Sequence, residues 1–514
     1  MTNFLHFMYR ILALTSLHLC SYLPLVAQQL HYTVNLNDRT NDTFKVTLEV
    51  DQLKADNNIY QFAATAPGTY QVMDIGRFVK NFKAFDTKGK EIKTEQITKN
   101  QWQLTTPKKI KKISYEVAET WDTPVEENDI YMMCGSSLED DHALINGQTV
   151  FGYPQGMQDA PLKITLMHPE RWQVGTALNK DPQGYYVAKD YDFVVDSPIL
   201  LGRLSKATTE IKGCDVEIYT YSKTDKITSE QLLTAMSDML EAAGEFLVAL
   251  PVKRYTFLYH FEDKSAGAWE HSYSSEYVYK EEEWNEKLAK SITSTAAHEF
   301  FHIVTPLNIH SEIVKDFNFV TPTPSQHLWL YEGTTEWASD MMQLRGGLLS
   351  IDDFLKELAY KVIVDEKYFD KSYSLTKLSL TSYTKAGQKQ YANIYFRGAL
   401  VAGLLDIRLL ELSNGERGLR EVVNELARAY GAENAFPEER FFQVFTEMTY
   451  PEIMDFFNKY VKEAQPLPYK AYYEKLGIIY NPISEQQKKP SFTLDPNAST
   501  QQKQLRAIWM KNLQ

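Results

Sequence analysis

The stretch from residue 291 to residue 305 reads SITSTAAHEFFHIVT and holds the pattern His-Glu-x-x-His at 298–302. On a helix, His298 and His302 lie one turn apart on the same face, so both imidazoles can reach one metal ion. Glu299 is rotated by about 100° from His298, which places its carboxylate beside such an ion instead of on it. The pattern predicts a zinc site in which Glu299 accepts a proton from bound water. The competing interpretation is an amphipathic helix with two surface histidines.

A zinc site on a helix needs a third protein ligand. A third His six residues after the second is excluded, because Thr305 and Asn308 occupy the Gly and His positions of that longer motif. The helix-compatible run QHLWLYEGTTEWASDMM at 326–342 offers Glu332 instead. Glu336 and Asp340 follow on the same face, and either can orient a ligand histidine through its second ring nitrogen. His310 and Glu312 are rival third ligands.

Two further segments carry suitable residue types. Tyr395 begins the apolar run from 395 to 410, where its phenol either packs or stabilises an oxyanion. Arg397 either binds a substrate carboxylate or is a charge on the helix surface. In SAGAWEH at 265–271, the small residues Gly267 and Ala268 leave backbone accessible to an extended peptide. Glu270 offers a carboxylate to a substrate ammonium, although alone this segment predicts only a loop with one acid.

The composition and periodicity around these motifs predict an α+β multidomain chain. The 514 residues suggest about three domains. The net charge of −13 argues against nucleic-acid partners. Alternating apolar residues and turns predict an N-terminal β-sandwich-like domain at 28–205, and mainly helical periodicity follows residue 282. The predicted remainder is a catalytic α/β domain at 206–405, a helical C-terminal domain at 406–480 and a polar tail at 481–514.

The first residues predict a secretory signal peptide at 1–27. Arg10 is followed by an apolar run that ends at Ala27, and the run is shorter than a membrane span requires. A membrane anchor and a lipoprotein attached at Cys20 are the weaker alternatives. We therefore expect a periplasmic or extracellular protein with no stable membrane span after cleavage. Export would permit a disulfide between Cys134 and Cys214.

The order of the motifs resembles the glycyl aminopeptidase family of gluzincin zinc metallopeptidases. The similarity rests on GAWEH at 267–271, HEFFH at 298–302, LWLYEGTTEW at 328–337 and IYFRGAL at 394–400. It continues upstream in APGTYQVMDIGRFVKNFKAFD at 66–86 and DSPILLG at 196–202. The resemblance covers most of the chain from residue 28 to residue 478.

The resemblance implies a thermolysin-like catalytic domain with one Zn²⁺ per chain. His298, His302 and Glu332 match the family's zinc ligands, and Glu299 matches its general base. Tyr395 matches the tyrosine that stabilises the tetrahedral intermediate, and Glu270 matches the acid that holds the substrate's free N-terminus. Members of the family prefer small N-terminal residues, Gly and Ala.

Three features depart from the family pattern. The chain lacks the basic cluster that commonly follows the second histidine, although it keeps Asn308. Ala268 replaces a Gly, and Arg397 replaces the usual Lys. Only 34 residues follow Tyr480, too few for the C-terminal PDZ domain that many members carry.

The leading hypothesis is therefore an exported zinc aminopeptidase that acts by Glu-assisted attack of zinc-bound water on peptides with a free N-terminus. The alternatives are a zinc endopeptidase on the same site and a catalytically silent peptide-binding protein.

Overall fold

A computed structural model describes residues 29–247, 250–264, 267–484 and 487–513. The N-terminal part is rich in strands, as the alternating pattern predicts. Its strands are β1 (Leu30–Asn35), β2 (Thr43–Val50), β3 (Ile59–Gln61), β4 (Val79–Phe85), β5 (Glu91–Ile92), β6 (Thr94–Gln96), β7 (Gln101–Leu104), β8 (Lys112–Ala118), β9 (Ser137–Leu138), β10 (His142–Ile145), β11 (Tyr153–Pro154), β12 (Leu162–Met167), β13 (Gln173–Thr176), β14 (Asn179–Lys180), β15 (Tyr186–Ala188) and β16 (Ile199–Gly202).

These strands form three sheets around a shared apolar core. An eight-stranded sheet has the order β14-β15-β12-β1-β2-β8-β4-β5, and the four-stranded sheets have the orders β11-β3-β7-β6 and β13-β16-β10-β9. The sandwich is not wholly antiparallel, because β1 pairs with β12 in parallel. More than a hundred residues separate these two strands, which gives the chain the long crossover that parallel pairing needs.

The central part of the chain builds a second sheet. Its strands are β17 (Leu204–Ile211), β18 (Cys214–Ser222), β19 (Arg254–Glu262), β20 (Gly267–Glu270) and β21 (Ser274–Lys280). Their order is β17-β18-β19-β21-β20, so β20 is an edge strand. The segment at 267–270 is therefore a strand instead of the predicted loop, because it pairs in antiparallel register with β21.

The rest of the described chain is mainly helical, as its periodicity predicts. The α-helices of the described chain are α1 (Gly147–Val150), α2 (Tyr191–Val195), α3 (Ser229–Leu247), α4 (Glu286–Phe301), α5 (Glu312–Lys315), α6 (Thr334–Arg345), α7 (Ile351–Tyr368), α8 (Leu375–Leu380), α9 (Lys385–Gln388), α10 (Asn393–Leu412), α11 (Leu419–Ala429), α12 (Phe441–Met448), α13 (Glu452–Phe457), α14 (Tyr469–Tyr473) and α15 (Thr500–Trp509). Two segments, Trp329–Gly333 and Asn458–Lys462, are π-helical, and a hairpin of β22 (Ile478–Asn481) and β23 (Ser491–Leu494) precedes α15. Within the ranges given above, no helix is both long and apolar enough to cross a membrane.

Two predicted domain boundaries fall inside secondary-structure elements, and the predicted tail contains two elements. The boundary at 205/206 falls inside β17, which pairs with β18 in the second sheet. The boundary at 405/406 falls inside α10, whose residues on both sides pack in one apolar core. The predicted polar tail at 481–514 instead contributes β23 and α15, because Phe492 and Trp509 are buried in that same core.

The two cores interlock close to the predicted zinc site. Phe317 and Phe319 follow α5 but pack in the N-terminal core. The carbonyl oxygen of Phe319 accepts hydrogen bonds from the backbone of Ala64 and Thr65, at 2.7 and 3.2 Å. Tyr70, from the same N-terminal loop, packs in the helical core. This exchange fixes the loop at 66–70 against the catalytic part.

Two other sequence predictions concern the cysteines and the first residues. Cys134 and Cys214 are buried and unpaired. The predicted signal peptide at 1–27 lies outside the described residues.

Candidate metal centre

Helix α4 presents the two histidines of the central motif. The helix begins at Asn285, whose side-chain oxygen accepts a hydrogen bond from the backbone of Leu288 at 3.0 Å. An N-cap of this kind satisfies one of the free amide groups of the first turn. His298 lies in the last turn and His302 caps the C-terminal end. Both side chains are buried, which excludes the alternative of two surface histidines.

Glu332 approaches these histidines from the π-helical turn that precedes α6. Its position depends on a close contact between two glycines. A Cβ atom on Gly333 would lie 2.6 Å from the Cα atom of Gly398 in α10, far below an ordinary contact distance. The missing side chains therefore let the turn pack directly on α10, the helix that also carries Tyr395. Sequence analysis missed this pair, although the motifs YEGTT and FRGAL contain it.

The three predicted ligands converge on one point. The Nε2 atoms of His298 and His302 lie 3.2 Å apart. The Oε2 atom of Glu332 lies 3.6 Å from the first and 3.4 Å from the second. Ligand atoms about 2.1 Å from a tetrahedral ion are roughly 3.4 Å from each other. The geometry of this cluster therefore fits a zinc ion with one coordination position left for water or substrate.

Each histidine is oriented through its other ring nitrogen. The Nδ1 atom of His298 lies 2.9 Å from Glu336 Oε2, and the Nδ1 atom of His302 lies 2.9 Å from the carbonyl oxygen of Thr305. Donation from both Nδ1 atoms leaves the Nε2 lone pairs free to bind a metal. Of the two carboxylates predicted for this role, only Glu336 contacts a histidine, whereas Asp340 pairs with Lys361 at 3.3 Å.

Two further carboxylates lie beside the cluster. Ligand atoms of Glu270, Glu299 and His302 all lie within 4.8 Å of one another. Burial raises the pKa of Glu270 to about 8, with Glu332 and Glu299 adding to the rise and His302 opposing it. Burial also raises the pKa of Glu299, against the opposing effect of the two histidines. For Glu299, a raised pKa suits a group that must take up a proton and later release it.

Tyr395 completes this side of the cavity. The centre of its ring lies 5.6 Å from that of His298. Burial, together with the charges of Glu332, Glu270 and Glu299, raises its pKa well above 10. The phenol therefore keeps its proton and can donate a hydrogen bond. Tyr391, whose ring centre is 5.9 Å from that of Tyr395, is a second phenol that sequence analysis missed.

These groups line a cavity of about 90 Å³. Two N-terminal segments, 68–69 and 131–134, form part of its wall. At Gly68, where φ is +79°, a Cβ atom would lie 2.6 Å from Glu270 Oε1. The glycine therefore lets the N-terminal loop close over the carboxylate. Ala268 and Glu270 line the cavity from the edge strand β20, and Gly267 begins that strand.

Three other candidates from the sequence lie elsewhere. Arg397 is buried and paired, with Asp365 at 3.3 Å and the carbonyl oxygen of Gln465 at 2.8 Å, so neither sequence interpretation of it is correct. The Nδ1 atom of His310 lies 2.8 Å from the carbonyl oxygen of Pro306. Glu312 accepts a hydrogen bond from the backbone of Glu438 at 2.7 Å. Neither rival ligand belongs to the cluster of His298, His302 and Glu332.

Comparison with known proteins agrees with this geometry. Residues 31–203 match the model of the peptidase M61 N-terminal domain, and residues 291–401 match that of the M61 glycyl aminopeptidase. Together the two matches cover more than half of the chain. No curated protein sequence matches significantly.

Solved structures share the fold. An aminopeptidase N family protein from Idiomarina loihiensis superposes with a TM-score of 0.78 at 21% identity, over 92% of this chain and 82% of that one. An M1 zinc metallopeptidase from Deinococcus radiodurans, a variant bound to a Tyr-Ser-Ala substrate, gives a TM-score of 0.53 at 11% identity, over 86% of this chain and 94% of that one. A two-domain M1 zinc metallopeptidase variant bound to L-tryptophan gives 0.52 at 10% identity, with the same coverage.

The two family matches indicate the same family as the sequence motifs. The buried His-His-Glu cluster, whose geometry fits zinc, agrees with that assignment. The chain belongs to the M61 glycyl aminopeptidase family of zinc-dependent metallopeptidases.

Proposed function

We propose that this protein is an exported aminopeptidase that removes small residues, Gly or Ala, from the free N-terminus of peptides. The observation that carries the proposal is the position of Glu270. Its carboxylate is buried beside Glu299 and His302, and the loop at Gly68 closes over it. A substrate ammonium bound to Glu270 would place the first peptide carbonyl next to the zinc ligands. A charge-assisted hydrogen bond of this kind is strong where water is excluded.

The size of the cavity supports small first residues. About 90 Å³ is available, and the aromatic rings of Trp269, Tyr391 and Tyr395 take up much of the wall. The edge strand β20 offers backbone groups with which an extended peptide can pair. A short first side chain therefore fits, and the peptide beyond it has a surface to follow.

The residues of this chain divide the reaction among them. His298, His302 and Glu332 would hold the zinc ion, which would supply a Lewis acid and lower the pKa of water. Glu299 accepts the proton as water adds to the carbonyl carbon and then delivers it to the leaving nitrogen. Tyr395 donates a hydrogen bond to the oxygen on which negative charge develops.

A zinc endopeptidase on the same site is the second candidate. A groove of about 350 Å³ meets the cavity at Gly68, Trp269 and Glu270. Residues on the amino side of a cleaved bond would extend into this groove if Glu270 did not bind an ammonium. In that case a blocked N-terminus would not prevent cleavage.

Aminoacyl reporters with free and acetylated amines distinguish the two functions. We expect chelator-sensitive release from free Gly and Ala reporters and none from the acetylated forms. The variant Glu270→Gln should lose most of the activity on free reporters while keeping its zinc. Equal cleavage of acetylated peptides would establish the endopeptidase, and a zinc-loaded protein that cleaves neither would support a silent binding protein.

Export is a separate part of the proposal. It rests on the apolar run that ends at Ala27. Expression in a bacterial host followed by N-terminal sequencing of the periplasmic fraction tests it, and the expected first residue is Gln28. Retention of residues 1–27 would contradict it.

A further inference from the structure

Two buried histidines meet a glutamate away from the zinc ligands. His142 lies in β10 of the N-terminal part, and His260 and Glu262 lie in β19 of the second sheet. We infer that His142, His260 and Glu262 form a second binding site for a divalent transition metal, which links the two sheets. The resemblance to the peptidase family implies one ion per chain, so this site is additional to the one that the family pattern predicts.

The spacing of the three side chains fits metal ligation. The Nε2 atom of His142 lies 3.4 Å from Glu262 Oε1, and the Nε2 atom of His260 lies 3.8 Å from the same oxygen. One ligand atom from each residue lies within 4.8 Å of the others. Ligands of a tetrahedral ion are separated by roughly 3.4 Å, so the atoms that lie farther apart than this would have to move closer around an ion.

The hydrogen bonds of His142 favour a cation between the side chains. Its Nδ1 atom lies 2.9 Å from Asp141 Oδ1. Donation from Nδ1 leaves a lone pair on Nε2 that points towards the Glu262 carboxylate, and that Nε2 has no hydrogen-bond partner. A lone pair and a carboxylate oxygen repel each other unless a cation lies between them. The same arrangement of carboxylate, histidine and metal position occurs at His298 and Glu336.

His260 can supply a second nitrogen ligand, because its ring makes no hydrogen bond. Its side chain is completely buried, and neither ring nitrogen has a hydrogen-bond partner. A neutral imidazole at this position has a ring nitrogen with a free lone pair, which it can offer to a metal. A buried polar group without a partner is costly, and metal ligation would give one of the two ring nitrogens a partner.

The net charge around the three side chains is negative, which favours a divalent cation. Arg203 is paired with Asp225 and lies near Asp141. Lys223 contacts both Glu262 and Asp263, at 3.0 and 2.7 Å. Four carboxylates therefore face two cations, which leaves two negative charges when both histidines are neutral. Two imidazoles and one carboxylate suit zinc and its neighbours in the first transition row better than calcium or magnesium.

Metal content measures the second site directly. A chain with His298→Ala and His302→Ala lacks two of the three ligands of the first site, and after loading with zinc and desalting it should hold one ion by plasma mass spectrometry. Wild type should hold two. Adding His142→Gln and His260→Gln to the first pair should reduce the content to zero. In wild-type background, His327→Gln removes a different buried histidine and should leave both ions bound.

A milder variant and a cobalt spectrum distinguish loss of the site from misfolding of the substituted chain. Glu262→Gln keeps the shape of the site and should weaken binding at least tenfold in a zinc titration of the chain that lacks His298 and His302. Cobalt added to that same chain should give the visible absorption of a tetrahedral ion. If the chain binds no zinc and gives no such absorption, the proposal is wrong, and a proton shared between His142 and the two carboxylates takes the place of the metal.

Discussion

The Nδ1 atom of His298 lies 2.9 Å from the Oε2 atom of Glu336, one helical turn beyond Glu332. Lys361 in α7 contacts the other oxygen of Glu336 and lies 3.3 Å from Asp340. These contacts hold the imidazole so that Nε2 faces the other two ligands. The turn before α6 therefore supplies the ligand Glu332, and α6 itself supplies Glu336, which orients the ligand His298.

Replacing Glu336 should weaken the metal site without removing a ligand. For Glu336→Gln we expect a 10–100-fold loss of zinc affinity or activity, because the amide orients His298 less strongly than the carboxylate. Competition with a coloured chelator measures the affinity. Asp340→Asn is the matched control, since Asp340 contacts Lys361 but no histidine, and it should have a smaller effect. Equal losses in both variants would contradict the orienting role of Glu336.

Replacing Glu299 should separate zinc binding from turnover. Glu299→Gln keeps the shape of the side chain but cannot accept a proton, so kcat should fall about 10²–10⁴-fold. Zinc content should match that of the wild type. Hydrolysis of a Gly or Ala reporter together with metal analysis checks this. Normal turnover in the zinc-loaded variant would rule out the proposed general base.

Tyr395→Phe should lower kcat with little change in zinc content. Removal of one oxyanion donor costs about 10²–10³-fold in kcat, and Tyr395 keeps its proton because its pKa is raised well above 10. Tyr391→Phe removes a neighbouring phenol in the same cavity and is the matched control. If Tyr391→Phe proves the more damaging variant, the donor has been assigned to the wrong tyrosine.

Arg397 should matter for stability and not for substrate binding. The buried pair with Asp365 would be broken in Arg397→Met, at a cost of about 3–5 kcal/mol in the free energy of unfolding. KM of the folded variant should be unchanged. Lys371 contacts the same carboxylate at 2.7 Å but is half exposed, so Lys371→Met should cost about 1 kcal/mol or less. A large rise in KM for Arg397→Met would restore the substrate-carboxylate role.

Asp192 should make stability depend on pH. Burial raises its pKa from 3.8 to about 7, and a hydrogen bond from Gln158 at 2.9 Å only partly opposes this. The protonated form is favoured in the folded state, so its contribution is complete at low pH and is lost as the pH rises through 7. Asp192→Asn should therefore gain about 1–3 kcal/mol relative to wild type between pH 5 and pH 8, measured by denaturant unfolding. A constant difference between the two proteins would show that Asp192 does not titrate in this range.

The sequence predicted those parts of the candidate site whose relative positions are set by a single helix or turn. His298 and Glu299 lie in the last turn of α4 and His302 caps that turn, and a helix of 3.6 residues per turn determines which of them share a face. Glu332 and Glu336 follow the same rule across a turn and the start of α6. The period-two strands before residue 203 and the helices after residue 286 were predictable for the same reason.

The parts that sequence did not predict depend on contacts between distant segments. Gly68 reaches Glu270, Gly333 packs on Gly398, and the supposed tail buries Trp509 in the helical core. None of these contacts has a local period, because each is set by how whole sheets and helices pack. Arg397 shows the same limit, since only the packing of α7 and α10 reveals that Asp365 neutralises it.

The amino-acid sequence by itself determined the family, through the order of its motifs, and the arrangement of His298, Glu299 and His302, because helical spacing fixes which of them share a face. Its motif also offered Glu332 as the third ligand, although packing between distant segments brings Glu332 to the histidines. Only the tertiary structure decided which carboxylate orients His298, which loop closes over Glu270, and that His142 and His260 meet at Glu262. The physical reason is that side chains far apart in the sequence are brought together by the packing of whole sheets and helices. The residues near either partner do not reveal which distant segment that partner will pack against.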